Sequence, residues 1–286
     1  MGMIKLTIVT INRNNAAGLE NTMKSVLLQT SCDYEYIVVD GASTDGSVEV
    51  IERLAPEFGT RIKWLSEPDT GIYNAMNKGC RMANGEYLLM LNSADILVDE
   101  HVVEKILPSL HDTDIIQGNI LYKENGQIIR NRGYAHSDIR FDEILDAAFL
   151  HQASFIRKDL LYEVGFYDDS YKKIADTAFY IYALIFHKAS FRYIDMDISV
   201  FDMNGITNSG NPYWQDINAS EVSRLYSDIL PNRFIDYYRY SQKRIEFYEN
   251  LHRLKLIWYC AVGLSVLSRK ICGPYRKVHK ELVKQP

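Results

Sequence analysis

The chain has 286 residues, 47% hydrophobic and 24% charged, a soluble globular composition that suits one large α/β domain with appendages better than two independent domains. Four cysteines, Cys32, Cys80, Cys260 and Cys272, lie scattered without CxxC spacing, which argues against a zinc site or disulfide framework and fits a reducing compartment. The formal net charge of −5 hides an asymmetry: from Pro231 onward twelve Lys/Arg stand against four Asp/Glu, so a basic tail follows an acidic body.

In chain order, the start MGMIKLTIVT has no basic region leading into an apolar leader, and a cytoplasmic location is expected. LTIVTI (6–11) is an apolar run of strand length, followed by Leu19, Met23, Val26 and Leu27 at helical spacing. YIVVD (36–40) is the next strand, then a helix carrying Val48, Ile51 and Leu54. IKWLS (62–66) and EYLLML (86–91) follow, separated by a helix through Ala75–Ala83. Solid apolar strands alternating with helices imply a mostly parallel sheet covered on both faces. Beyond Asp114, Asn125-Gly126 between two β-prone runs signals a hairpin. Helices are expected near 138–148, at 158–164 and from Asp176 to His187, then a strand at FRYIDM and a helical region from about Tyr213.

Ligands of open parallel sheets bind beyond the carboxyl ends of the strands. Those ends read Asn12-Arg13-Asn14, Asp40 through Gly46, Ser66 through Gly71, and Asn92-Ser93-Ala94-Asp95. Each loop alone is also an ordinary turn or helix cap. Neither GxGxxG nor GxxxxGK[ST] follows the first strand, so no glycine cradle holds a diphosphate. A divalent metal (Mn²⁺ or Mg²⁺) bridging Asp95 to phosphate oxygens would supply the missing grip.

The ordered segments TIVTINRN, VVDGASTDGS, SEPDTGIYNAMNKG, GEYLLMLNSADIL, HQASFIRKDLLYEVGFYDDSYKKIADTAFYI and FDMNGITN resemble glycosyltransferase family 2, over roughly residues 3–210. The nearest likeness is to its bacterial polysaccharide-assembly branch, of the colanic-acid type. The resemblance implies a GT-A fold, Rossmann-like and mostly parallel, over 1–230, with a donor half to about 118 and an acceptor half from about 119. Residues 231–286 would be a helical basic extension. It implies an inverting transferase moving a sugar from a UDP- or GDP-sugar to a glycan or lipid-linked hydroxyl in polysaccharide biosynthesis.

Position by position, the resemblance puts Asp40 at the nucleobase or ribose, flanked by Thr10 and Asn12. Asp69 falls at a further nucleoside position, Asn77 and Lys78 at the ribose and phosphate, and Asn92 and Ser93 among the donor contacts. Asp95 matches the final acid of a DXD-like motif and binds the metal, here without a second acid beside it. Asp176 matches the general base, although the residue also reads as a helix N-cap. His151 and Gln152 match acceptor-facing positions, while His151 is equally readable as a structural histidine. Gly205, in Asn204-Gly205-Ile206-Thr207 and counted with the acceptor side, resembles a late loop near the donor phosphates, or is a plain turn. In the tail, LIWYCAVGLSVL (256–267) is too short to span a bilayer. It reads as an interfacial helix attaching the protein to the inner face of the membrane, or as a core-packed helix with a basic outer face. A non-catalytic nucleotide- or sugar-binding module is the rival reading. Nucleic acid is not an expected partner, since the tail carries no recognised binding motif.

Overall fold

The computed structural model describes residues 4–124, 127–140, 143–144, 149–202 and 212–229. The chain divides into two compact units, Met1–Val222 and Ser223–Pro286. The first unit holds the sheet and its helices, and one helix continues past the sequence boundary between the units.

Among the described residues a single sheet of nine strands forms the framework. Strands β1 (Leu6–Asn12), β2 (Tyr34–Asp40), β3 (Ile62–Ser66) and β4 (Tyr87–Met90) are the four apolar runs. They lie parallel in the order β3-β2-β1-β4. Helices α1 (Ala16–Leu27), α2 (Ser47–Phe58) and α3 (Ile72–Met82) connect them. Leu6, Ile8, Tyr36 and Val38 cluster with Leu19, Met23 and Val26 of α1 and with Ile51, Leu54 and Phe58 of α2. Val9 and Val39 instead meet α3 at Gly79, where an added Cβ would stand 2.3 Å from Val9 Cγ1. Burial on both faces explains the unbroken apolar runs of β1 and β2. β3 departs from that pattern: it is the edge strand and leaves Trp64 36% exposed.

The sheet then turns antiparallel, through β8 (Ser154–Arg157) against β4. β6 (Ile115–Glu124) pairs with β8, with the hairpin partner β7 (Gln127–Asn131) and, in parallel, with β9 (Phe191–Asp202). The expected hairpin is therefore present as β6–β7, although Asn125 and Gly126 themselves lie outside the described residues. The two-residue strand β5 (Ile96–Leu97) pairs antiparallel with β9 directly after Asp95. A short helix α4 (Val102–Ile106) follows. Helices α5 (Lys158–Val164) and α6 (Ala175–Ile185) fall close to the sequence expectation. The helix expected at 138–148 does not include residues 138–140, which are irregular, whereas 143–144 are helical and the remainder lies outside the described residues. Helix α7 (Pro212–Ile229) is the start of the predicted helical C-terminal region.

Candidate active site

Strand order reverses between β1 and β4, so the loops after these strands diverge and open a crevice. A cleft of about 960 Å³ lies there, walled by residues 11–15, 69–75 and 92–95, with Asp169, Tyr171, Lys172 and Phe201 opposite. It gathers Asn12, Asp69, Asn92, Ser93 and Asp95 of the residues expected from sequence.

The other donor-side candidates lie behind it. Asp40 is fully buried and accepts from Asn12 Nδ2 (2.8 Å), Ser43 N (2.9 Å), Ser43 Oγ (2.6 Å) and Ser66 Oγ (2.7 Å). Burial pushes its pKa up, but these hydrogen bonds from Ser43, Ser66 and Asn12 outweigh burial and hold it below the ordinary carboxylate value. Ser43 Oγ also accepts from Asn14 N, and Asp45 accepts from Ala16 N at the start of α1. The segment VVDGASTDGS thus ties the first two strand-end loops together. Thr10, also fully buried, donates to the Leu91 carbonyl (2.8 Å) and accepts from Tyr36. Asn77 brackets the backbone of Tyr167, donating to its carbonyl (2.7 Å) and accepting from its N–H (3.0 Å). Lys78 binds the Pro68 carbonyl and Glu67, holding the loop that presents Asp69. None of these four side chains lines the cleft, and each makes hydrogen bonds within the protein.

Asp69 is 5% exposed at its side chain, accepts from Gly71 N (3.0 Å) and lies 3.6 Å from the guanidinium of Arg13. Its carboxylate packs on Gly41, where a Cβ would come within 2.2 Å of Oδ2. Arg13 and Lys172 bring two cations to the cleft wall; neither was singled out in the sequence, because isolated basic residues in loops carry no distinguishing pattern.

Asp95 is 3% exposed and sits in a tight turn whose amide bonds back to the Asn92 carbonyl (2.9 Å). Thr22 of α1 fixes that turn: its hydroxyl accepts from Ala94 N (3.0 Å) and donates to the Asp95 carbonyl (2.7 Å). Ala94 has φ of 85°, a left-handed conformation that a Cβ makes costly, of order 1–3 kcal/mol. The hold of Thr22 and the β5–β9 pairing sustain it. Among the described residues no group of three or more His, Cys, Asp and Glu could hold a metal ion. Asp95 therefore fits a metal only as one carboxylate among substrate phosphate oxygens, a ligand set Mg²⁺ and similar ions accept.

Asp176 occupies the first turn of α6, whose N-cap is Ile174 and not Asp176. Its side chain is 19% exposed. Oδ1 accepts from the Tyr73 hydroxyl (2.9 Å) and Oδ2 from His151 Nδ1 (3.0 Å). The aromatic rings of Tyr167, Phe179 and Tyr180 form an apolar backing, with centroids of neighbouring rings 5.2 and 5.7 Å apart. Burial pushes the Asp176 pKa up. The His151 hydrogen bond and charge, the Thr177 amide and Tyr73 prevail, and the net shift is downward. For His151, burial favours the neutral ring, but the charges of Asp176 and Asp95 prevail and raise its pKa. Each partner thus favours the charged form of the other against the pull of burial. His151 Nε2 lies 3.3 Å from the Asn92 amide, so His151 bridges the donor-side loop to Asp176. With the amide oxygen turned toward the ring, Asn92 accepts from the imidazolium. With the nitrogen turned, it donates to a neutral ring. Gln152 is buried in the adjoining turn, where its carbonyl accepts from Ser199 (2.7 Å). Gly205 and its loop lie outside the described residues, as does the whole basic tail.

Through Tyr73 and through Asn92–His151, Asp176 stands one and two hydrogen bonds behind the cleft wall. Sequence reasoning missed Tyr73 and Thr22, which read as ordinary members of amphipathic helices.

A family model described as glycosyl transferase family 2 matches residues 7–171. A glycosyltransferase of Mycobacterium tuberculosis is 31% identical over 212 residues, covering 72% of this chain and 78% of that one. A PGL/p-HBAD biosynthesis glycosyltransferase of Mycobacterium bovis is 28% identical over 213 residues, covering 72% and 80%. Two solved structures share the fold at 17% identity. One is S. aureus TarS in complex with UDP-GlcNAc (TM-score 0.60; 72% of this chain, 61% of that one). The other is a Pyrobaculum calidifontis mannosyltransferase in complex with GDP-Man and Mn²⁺ (TM-score 0.55; 79% and 64%). The chain spans less than two thirds of either of these structures. The sheet flanked by helices thus has its counterparts among GT-A type glycosyltransferases. The chain belongs to glycosyl transferase family 2 and is a glycosyltransferase.

Proposed function

We propose that the chain transfers a sugar from a UDP- or GDP-sugar to a hydroxyl of a glycan or lipid-linked acceptor, with inversion, in polysaccharide biosynthesis. One observation carries the proposal: Asp69 and Asp95 face a cleft of about 960 Å³ at the switch point, and Asp176 stands directly behind its wall. Nucleotide sugars bound to TarS and to the Pyrobaculum mannosyltransferase support the donor class.

In this reading Asn12 and Asp69 take the nucleoside end, with Asp40 fixing Asn12 from beneath. Asn92, Ser93, Arg13 and Lys172 face the diphosphate and sugar. A divalent cation held by Asp95 and the diphosphate would neutralise charge on the leaving group. Asp176 accepts the proton of the attacking hydroxyl. An ionised carboxylate offers about four lone-pair positions, and Tyr73, His151 and the Thr177 amide use three, so one remains for the acceptor. Residues 1–230 are assigned this chemistry, and the basic segment 231–286 contact with an anionic membrane face.

The test is release of nucleoside diphosphate from UDP-GlcNAc and GDP-mannose with Mn²⁺, with and without glycan acceptors. Turnover should fall by about 10²-fold or more in Asp176→Asn while donor binding persists. Binding without turnover in the native protein would instead define a non-catalytic module, and unchanged turnover in Asp176→Asn would remove the base.

A further inference from the structure

Helix α6 has no cap of its own. Ile174, at its N-cap position, offers no side-chain acceptor, and three successive amides ahead of the helix would otherwise face no partner within their own segment. A carboxylate from α7 fills that place. Glu221 Oε1 accepts from Lys172 N (2.6 Å), and Oε2 accepts from Lys173 N (3.0 Å) and Ile174 N (3.3 Å). These are charge-assisted bonds at the positive end of a helix, the setting in which a carboxylate binds best. The opposite side of the same peptide is also held: the Lys173 carbonyl lies 2.5 Å from the Tyr73 hydroxyl and shares its single proton with Asp176 Oδ1. The segment that leads into Asp176 is therefore gripped between α3 and α7.

We infer that Glu221 is a positioning residue for the transfer reaction, holding residues 172–174 so that the Asp176 carboxylate is aimed at the acceptor hydroxyl. The inference rests on Asp176 being the base. It makes the middle of α7 a working part of the active site, although Glu221 lies forty-odd residues downstream of Asp176 and α7 lines none of the cleft. Misplacement of a reacting group by about 1 Å can cost about 10²-fold in rate, and loosening a single tether costs less. The expected loss in Glu221→Ala is about tenfold in kcat, with a smaller rise in donor KM, because Lys172 rides on the held segment whereas Asp69 and Asp95 sit on other loops. Glu221→Gln keeps one of the two acceptor oxygens and should fall between Ala and the native protein.

The experiment measures kcat and KM for UDP-GlcNAc and GDP-mannose with Mn²⁺ in the full chain and in Glu221→Ala, Glu221→Gln, Asp176→Asn and the Glu221→Ala/Asp176→Asn double variant. Limited trypsin cleavage after Lys172 and Lys173 is followed in parallel. Faster cleavage, a kcat loss partly restored by Gln, and no further loss in the double variant support the inference. Native kcat in Glu221→Ala overturns it, whether or not cleavage accelerates, and so does a loss confined to KM. Should Glu221→Ala fail to fold, Glu221→Gln decides alone, with native kcat overturning the inference. Full turnover in Asp176→Asn, or no turnover by the native chain, removes the base itself and the inference with it. A dead Asp176→Asn beside an unimpaired Glu221→Ala overturns the positioning role only.

Discussion

Truncating Asn77 separates a frame residue from a donor contact. Its side chain is 4% exposed and makes two hydrogen bonds to one residue's backbone, at 2.7 Å to the Tyr167 carbonyl and 3.0 Å from the Tyr167 N–H. Asn77→Ala leaves a donor and an acceptor buried without partners, at about 1–3 kcal/mol each. The summed cost is about 2–6 kcal/mol. For a unit of this size about 1 kcal/mol moves the melting temperature by 2–4 °C, so a cost of about 3 kcal/mol lowers it by about 6–12 °C. Affinity for UDP or GDP, measured by calorimetry at a temperature where the variant is folded, should stay within about twofold, because Asn77 does not line the cleft. A variant that melts within about 2 °C of the native protein but binds the nucleotide tenfold more weakly would refute the assignment and return Asn77 to the donor.

Tyr73→Phe removes the hydroxyl that bonds both Asp176 and the Lys173 carbonyl. Its kcat should fall by about tenfold with little change in donor KM, and a pure KM effect would contradict this. Glu35 is 4% exposed and accepts from Thr7, Lys63 and two nitrogens of Asn84. Burial alone would raise its pKa, but these partners hold it below the ordinary carboxylate value. A depressed folded pKa means stability that is complete above the unfolded value of about 4.3 and is lost as pH falls through the folded one. Denaturant titrations from pH 6 to 3 should therefore show a smaller acid-dependent loss in Glu35→Gln, and identical profiles would remove the role. Gly79→Val puts a Cβ 2.3 Å from Val9 Cγ1, an overpacking worth about 1–3 kcal/mol, readable as a lowered unfolding midpoint. An unchanged midpoint would mean that α3 can lift off the sheet at no cost.

The parallel half of the fold was legible because its signal is local. Each of β1 to β4 is an apolar run bounded by polar turns, and burial between two helical layers leaves no alternation to confuse the period. β3 shows where the rule weakens: the run IKWL is apolar enough to form a strand but belongs to the edge. The antiparallel half was harder. β5 is two residues long, below the length at which periodicity exists, and its identity depends on pairing with β9 a hundred residues away. The full reach of β9 to Asp202, beyond the FRYIDM run, is likewise set by its partner β6 and not by its own composition.

At the site, the residues legible in sequence were the acids, because a carboxylate beyond a strand end is conspicuous, yet conspicuous acids do two different jobs here. Asp69 and Asp95 face the cleft, whereas Asp40 is enclosed by Ser43, Ser66 and Asn12 and shapes the wall from behind. Nothing along the chain separates the two, since both kinds follow an apolar run and precede small polar residues. The difference is whether other protein groups already surround the carboxylate, a fact of tertiary packing. The same reasoning explains Tyr73, Thr22 and Glu221. Each acts on a segment more than forty residues away, through two or three hydrogen bonds that leave no periodic trace. An acid such as Asp176 is conspicuous alone, but its carboxylate and the segment that leads into it are held by distant tyrosine, histidine and glutamate side chains. Substituting those supports should therefore alter turnover while leaving every motif of the sequence intact.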